Sequence, residues 1–483
     1  MAASRDFIMV IGGRLLVALV SIATFRVATT YLNPAQYGEL AILVAVQAFC
    51  GLFLVSPVSQ HINRYTHQWW DDGTLLARFG FFGKYVFVVA LIGAAAVYVF
   101  VTCSNVEDTL FAGFAMLAIV NAATWNATTV FMLNMLGFRA SSVIWATVTV
   151  VVALMGSVAF MFWIPNATAW LFGQALGMAI GALGAGRVLR QSAYKPAHLP
   201  QVHSLISRAE VLSYCFPLAI ATGLMWLQVS GYRFVVRAYW GVEALGYAAV
   251  GLLMAGQIWG LAETLVQQFL YPFFFRRISQ ANQSESQDAL SDLLNFMGPL
   301  YLVLAGATFV GAPYILKLLA APQYMGAEIF VRFGAAIECC RVLGNLLSQA
   351  AQVTKQTRSL ALPYAAGATV AIGLMLISGN QGGSIVWVGV VLTFGALVCM
   401  LSLAMAMYQQ VAYVLERRRW SVGILAMLLL TVPAWWLEQP EGWGETLGVI
   451  LMIAIAVGVI MLGMIWNNAA LQRLLAINLR NGT

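Results

Sequence analysis

Long apolar runs dominate this chain, and they fix what it can fold into. Fourteen stretches of roughly 18 to 26 residues carry little charge: 8–30, 38–60, 80–102, 110–134, 141–163, 168–189, 209–232, 246–271, 292–312, 327–352, 359–378, 384–408, 420–437 and 444–466. About 20 such residues cross a bilayer core as a helix. Inside hydrocarbon the backbone must satisfy its own hydrogen bonds, so helices are expected throughout. Turn residues mark the breaks: Asn33-Pro34, Asp71-Asp72-Gly73, Pro165-Asn166, Pro313, Gly379-Asn380 and Pro440-Glu441-Gly442. Composition agrees, with 61% of the 483 residues hydrophobic and 9% charged, against about 25% charged in soluble domains. The prediction is an all-α integral membrane protein with 14 transmembrane helices. Six cysteines fall mostly inside apolar runs without disulfide or metal spacing and read as small core residues. Arg14 interrupts the first run, so that run is expected to stay as a spanning helix rather than be cleaved.

Basic residues accumulate in cytoplasmic loops of membrane proteins. With the N-terminus placed inside, 18 of the 25 Lys and Arg fall in the inside segments. The outside loops 103–109, 164–168, 379–383 and 438–445 contain none, and two are acidic through Glu107-Asp108 and Glu438, Glu441 and Glu445. The alternation holds through all fourteen spans, so both termini are predicted inside. The net charge of +7 is therefore a topological signal and calls for no nucleic-acid partner. Seven cations remain within spans or on the outer side: Arg14, Arg26, Arg233, Arg237, Lys317, Arg332 and Arg341. A charge at a helix centre costs about 2.5–3.5 kcal/mol on insertion scales, so function is sought at these seven.

A second pattern divides the chain. The turn YLNPAQYGEL (31–40) is echoed by YWGVEALGYA (239–248), with Tyr31/Tyr239 and Gly38/Gly246 both 208 residues apart. That offset covers six spans, so the copies share one orientation, as in the parallel repeats of secondary transporters. Two equivalent lobes, 1–190 and 209–410, are expected, joined by a cytoplasmic linker 191–208 and followed by two extra helices and a tail, 411–483. Identity between the copies is low, and two outer turns that independently use Tyr and Gly are the plain alternative.

These residues also carry a resemblance. RVATTYLNPAQYGELAIL resembles the start of bacterial polysaccharide-transporter proteins, Wzx-like lipid-linked oligosaccharide flippases of the multidrug/oligosaccharidyl-lipid/polysaccharide exporter superfamily. YCFPLAIATGLMWLQVSGYRFVVRAYWGVEALGYAAVGLLMAG resembles that family's entry to its second lobe. The resemblance implies two six-helix lobes in a V around a central cavity. It also implies alternating access and export of an undecaprenyl-diphosphate oligosaccharide from the inner to the outer leaflet of the bacterial inner membrane, for surface or exopolysaccharide synthesis. Membrane lipid and a polysaccharide polymerase or other assembly proteins are the implied partners. Family members often place Asp before the Arg of the seventh span; Tyr232 stands there, so no role of that acid transfers. In lipid II flippases, which the chain resembles in helix number, the extra pair forms a groove for the lipid tail.

Such a substrate needs a wet, cationic path for its diphosphate. Arg suits it because the guanidinium fork donates paired charge-assisted hydrogen bonds. Arg14, Arg26, Arg64, Arg233 and Arg237 are the candidate diphosphate and sugar ligands. Arg233 and Arg237 share a helix face at i,i+4. Snorkelling to the interface is the alternative for Arg26 and Arg237, and a positive-inside anchor is the alternative for Arg64. In the tenth span, Glu328/Arg332 and Glu338/Arg341 have the spacing to neutralise each other. Glu263 lacks a partner on its own helix and either pairs with Arg341 or titrates. Glu263, Glu338 and Arg341 are thus candidates for ion or proton coupling or for structural pairing. Gln47, Asn121, Asn126 and Asn134, with Trp125 and Trp145, suit either a sugar path or interhelical contacts.

Other classes fit less well. The sequence has no phosphate-binding GxxxxGK[ST] loop, and no cofactor or enzymatic activity is expected. Export of two negative charges gains roughly 4–5 kcal/mol from a 100 mV interior-negative potential, without ATP. A drug/cation antiporter of the same superfamily would want cavity acids, yet the first six spans hold only Glu39. A lipid II flippase differs only in the sugar. A membrane polymerase or ligase would want a large outer loop.

Overall fold

The computed structural model describes residues 2–102, 109–193, 208–279, 282–354, 357–437, 442–466 and 468–475. Most of the expected linker 191–208 lies outside these, as do Cys103, Glu107, Asp108, Glu438 and Glu441. Among the described residues the regular structure is entirely helical. They form two compact units, Met1–Arg233 and Phe234–Thr483. The helix that follows the expected linker packs within the first unit.

In the first unit, α1 (Ala2–Tyr31) is followed by α2 (Pro34–Phe49), a π-helical stretch Cys50–Val55 and α3 (Ser56–Asp71). Then come α4 (Leu75–Thr102), α5 (Thr109–Met135), α6 (Arg139–Trp163), α7 (Ala167–Ser192) and α8 (Arg208–Trp226). Lipid is as apolar as leucine, so helices in it associate through close packing and polar contacts. α6 and α7 show both. A Cβ on Gly177 would lie 2.3 Å from the Ala153 nitrogen, so the backbones meet there directly. Ser157 Oγ donates to the Trp170 carbonyl at 2.9 Å and accepts from Gln174 Nε2 at 3.0 Å.

The second unit contains most of α9 (Tyr232–Phe269), then α10 (Tyr271–Ser279), α11 (Gln283–Leu319), α12 (Glu328–Leu347), α13 (Gln349–Thr354), α14 (Ala361–Asn380), α15 (Val386–Gln410), α16 (Arg417–Thr431), α17 (Trp443–Ile465) and α18 (Ala469–Leu475). α16, α17 and α18 all pack on α11. Asp292, 3% exposed, accepts from Arg277 at 2.8 Å and from Arg473 of α18 at 2.5 and 2.9 Å. Asn295 accepts from the Glu416 amide at 2.8 Å and from Trp420 Nε1 at 3.1 Å. α17 is almost wholly apolar and, apart from Thr446 and Val449, its residues stay partly or fully exposed, which suits a helix that gives one flank to α11 and the rest to lipid.

The 208-residue echo has a structural meaning. Asn33 caps α2 with a capping box: its side chain accepts from the Gln36 amide at 2.9 Å and Gln36 returns the bond to the Asn33 amide. Gly241, 208 residues on, breaks α9 with φ 87° and ψ 171°. The Tyr31 ring packs edge-on against Phe162 at the end of α6, and the Tyr239 ring covers Gly379 at the end of α14. Gln36 Nε2 donates to the Pro165 carbonyl and Trp240 Nε1 to the Gly383 carbonyl, both at 2.6 Å. In each expected lobe the first turn is thus fastened to the end of the fifth expected span and the turn that follows.

Among the described residues, eleven helical stretches are long and apolar enough to cross a membrane. One run, Val211–Gln267, covers two expected spans. α12 and α16 fall outside the eleven; α12 carries four charged residues and α16 is only 15 residues long. Pro313 does not end its helix: α11 continues to Leu319, and the turn comes at Pro322–Ala327. Neighbouring helices and local adjustments satisfy the backbone groups that an intramembrane proline frees.

Gly241→Ala should cost about 1–3 kcal/mol, because positive φ with extended ψ is strained for any L side chain. A Cβ there meets nothing within 4 Å, so the cost is backbone strain alone. A lower thermal unfolding midpoint in detergent, unaccompanied by lost expression, is the expected observation.

Candidate functional site

Three of the sequence-selected charges converge in the second unit. α9 supplies Glu263 and α12 supplies Glu338, Arg341 and Asn345. Arg341 Nε donates to Glu338 Oε2 at 2.7 Å, one turn back on the same helix. Its Nη1 reaches across to Glu263 Oε2 at 2.9 Å. Asn345 Nδ2 donates to the other Glu263 oxygen at 2.6 Å. The Glu263 and Glu338 side chains are 13% and 16% exposed, so both carboxylates sit largely out of solvent. Two carboxylates around one guanidinium leave one negative charge in excess when both are ionised. Low dielectric makes such an excess costly, so a proton or a cation is its natural complement. Among the described residues no group of three or more His, Cys, Asp or Glu forms a metal site.

The second pair of α12, Glu328 and Arg332, closes at 2.6 Å, and the Arg332 guanidinium lies 5.2 Å from the Phe309 ring centre. The five arginines proposed from sequence to meet the substrate are distributed otherwise. Arg14 is exposed on α1 and makes no hydrogen bond or ion pair among the described residues. Arg233 is half-buried; its Nη1 donates to the Ala41 carbonyl of α2 at 3.1 Å, and it has no carboxylate partner among the described residues. Arg26 and Arg237 are half-buried. Arg64 is exposed, 6.0 Å from the ring of its neighbour Tyr65.

Of the polar and aromatic candidates in the first unit, several prove to be packing groups. Asn126 Oδ1 accepts from Thr149 Oγ1 at 3.0 Å, and Asn121 bonds to its own helix at Leu117. Trp125 packs edge-on against Phe79 and Phe82, and Trp145 lies against Gly184. Gln47 is different, because it lines a cleft of about 410 Å³ formed by α2, the π-helical stretch, α3 and α5. None of the five arginines lines that cleft. Asn63, a neighbour of Arg64, joins Gln47 there, as do Ser59, Thr124 and Thr128, which were missed from sequence. The four-residue spacing of positions 47, 51, 55, 59 and 63 was the available signal.

A multi-pass, all-helical chain of this arrangement has the fold of the transporters grouped in the MOP superfamily, the multidrug/oligosaccharidyl-lipid/polysaccharide exporters. The structure is similar to lipid II flippase MurJ in an inward closed conformation, with TM-score 0.65, 11% identity, and coverage of 95% of this chain and 97% of that one. It is also similar to an inward-facing multidrug resistance MATE family transporter of the MOP superfamily, with TM-score 0.58, 12% identity, and coverage of 82% and 94%. A third likeness is to a MOP superfamily transporter from Pyrococcus furiosus described as having a binding pocket of reverse polarity, with TM-score 0.51, 13% identity, and coverage of 84% and 94%. No protein-family model matches the sequence, and no curated protein matches it.

Removing the guanidinium from the three-way network strands two buried carboxylates. Arg341→Met is therefore expected to destabilise the protein by about 3–5 kcal/mol. Glu263→Gln, which removes the excess charge and keeps one acceptor oxygen for either Arg341 or Asn345, should cost far less. Thermal unfolding of both variants in the same detergent gives the comparison.

Proposed function

We propose that the protein is a flippase that carries an undecaprenyl-diphosphate-linked oligosaccharide from the inner to the outer leaflet of the bacterial inner membrane by alternating access. Both termini lie in the cytoplasm in this reading. The observation that carries it is the contrast among the cations that fall within the apolar spans. Arg332 and Arg341 are matched by acids of the protein, whereas Arg14 and Arg233 have no carboxylate partner among the described residues. Cations left unmatched within apolar spans call for an anion from elsewhere, and a diphosphate answers with two charges and several acceptor oxygens. Arg14 and Arg233 are the principal diphosphate ligands, with Arg26, Arg64 and Arg237 along the route. The membrane potential drives the step outward. The Glu263–Arg341–Glu338 network serves as the coupling element, taking up one proton or cation per cycle. Membrane lipid receives the undecaprenyl tail, and α16 and α17 are the surface offered to it.

A lipid II flippase is the near alternative, favoured by the MurJ likeness across 97% of that chain. The two readings share fold and phosphate chemistry and differ in the sugar.

Proteoliposomes loaded with fluorescent undecaprenyl-diphosphate oligosaccharide, probed from outside, provide the test. Wild type is expected to expose the head group. Arg14→Ala should slow the step at least tenfold, while Arg14→Lys, which keeps the charge but not the fork, should retain part of it. A wild type that flips no lipid-linked sugar, lipid II included, would sink the proposal and favour a drug/cation antiporter.

A further inference from the structure

The cleft at Gln47 has features that helix packing does not explain. One wall runs along positions 47, 51, 55, 59 and 63. Four residues overshoot a turn of α-helix by about 40°, so five such positions on a straight helix would wind off one face. The π-helical stretch Cys50–Val55 takes more residues per turn and offsets that drift. Gln47, Ser59 and Asn63 are thereby held on one line. The facing wall is α5, with Thr124, Ala127, Thr128 and Phe131.

Most of the polar groups on these walls face the cleft unanswered; Ser56 Oγ is the exception, accepting from Gln60 Nε2 at 3.2 Å. Among the described residues, the side chains of Gln47, Ser59, Asn63, Thr124 and Thr128 make no hydrogen bond. Adjacent threonines behave differently: Thr129 donates to the Trp125 carbonyl at 2.8 Å and Thr66 to the Ile62 carbonyl at 3.0 Å. Thr124 and Thr128 are only 8% and 7% exposed. Their polar atoms open onto the cleft, where water or a ligand is left to answer them. No charged residue lines the cleft. It therefore offers nothing special to a phosphate or a cation. Its volume falls within the about 300–1,000 Å³ usual for small-molecule sites. Hydroxyls and amides beside the half-exposed Phe131 ring match a group with polar edges and an apolar face.

We infer that this cleft binds an uncharged, hydroxyl-rich ring, namely one neutral sugar of the lipid-linked head group, apart from the diphosphate. This assignment rests on the flippase reading for its natural ligand, but the cleft's chemistry can be tested separately. Full-length protein in phosphatidylcholine nanodiscs would be titrated with octyl glucoside, octyl galactoside, octyl N-acetylglucosaminide and octyl phosphate, all below their micelle concentrations. At least one glycoside should bind saturably. Ala127→Phe, which fills the cleft from an exposed position, should weaken that binding at least tenfold. The milder Ser59→Ala/Thr128→Val pair should weaken it several-fold, and octyl phosphate binding should not change in either variant. Absence of saturable glycoside binding, or equal binding by wild type and Ala127→Phe, overturns the assignment. Flipping of the lipid-linked oligosaccharide distinguishes the two ideas. Undiminished flipping by Ala127→Phe removes the cleft and leaves the flippase. Glycoside binding by a wild type that flips nothing keeps the cleft and removes the flippase.

Discussion

Charge in a low-dielectric medium must be neutralised or kept wet, and much of this molecule follows from that constraint. α12 carries four charged residues and still packs within the second unit, because Glu328 takes Arg332 and Arg341 is shared between Glu338 and Glu263. The same rule organises the opposite end of α11, where Asp292 is buried by two arginines from separate elements. Once these demands are met inside the protein, the cations that remain stand out by contrast. That contrast, more than any single contact, turns a helical membrane fold into a candidate carrier of anions.

Polar contacts also decide how the helices are tied together. The first turn of each expected lobe is fastened to the distal end of that lobe's fifth expected span. The fastenings are not chemically the same. In the first unit an asparagine cap, a proline and a glutamine amide do the work; in the second, a left-handed glycine and a tryptophan indole replace them. Of the fastening residues, only the tyrosine keeps its identity. The two turns keep corresponding fastening points while almost every polar contact at them is exchanged.

Much of the fold was legible from one-dimensional pattern. Helical backbone covers nearly all the described residues of the fourteen apolar runs, and the repeat showed as two tyrosines and two glycines 208 residues apart. Intrahelical pairs such as Glu338–Arg341 were readable because i,i+3 spacing places them on one face. Glu263 was readable as an acid in want of a partner, though its bond to Asn345 was not. The misses have a common cause. Pro313 read as a break, because a local rule cannot see the helices that support the backbone around it. The cleft at Gln47 depends on a π-helical register shift that no hydropathy pattern announces. Thr124 and Thr128 looked like ordinary helix threonines until their neighbours were known.

The clasp on Asp292 has a consequence for how the protein is made. Arg473 lies 181 residues further along the chain. At about 5–20 residues per second, translation needs roughly 9–36 s to supply it. During that interval the ribosome is still emitting α12 to α17, and the carboxylate has only Arg277 within the finished set of contacts. The second unit therefore cannot assume its final electrostatic state in the order in which it is synthesised; its last short helix completes a site that one of its earliest helices opened.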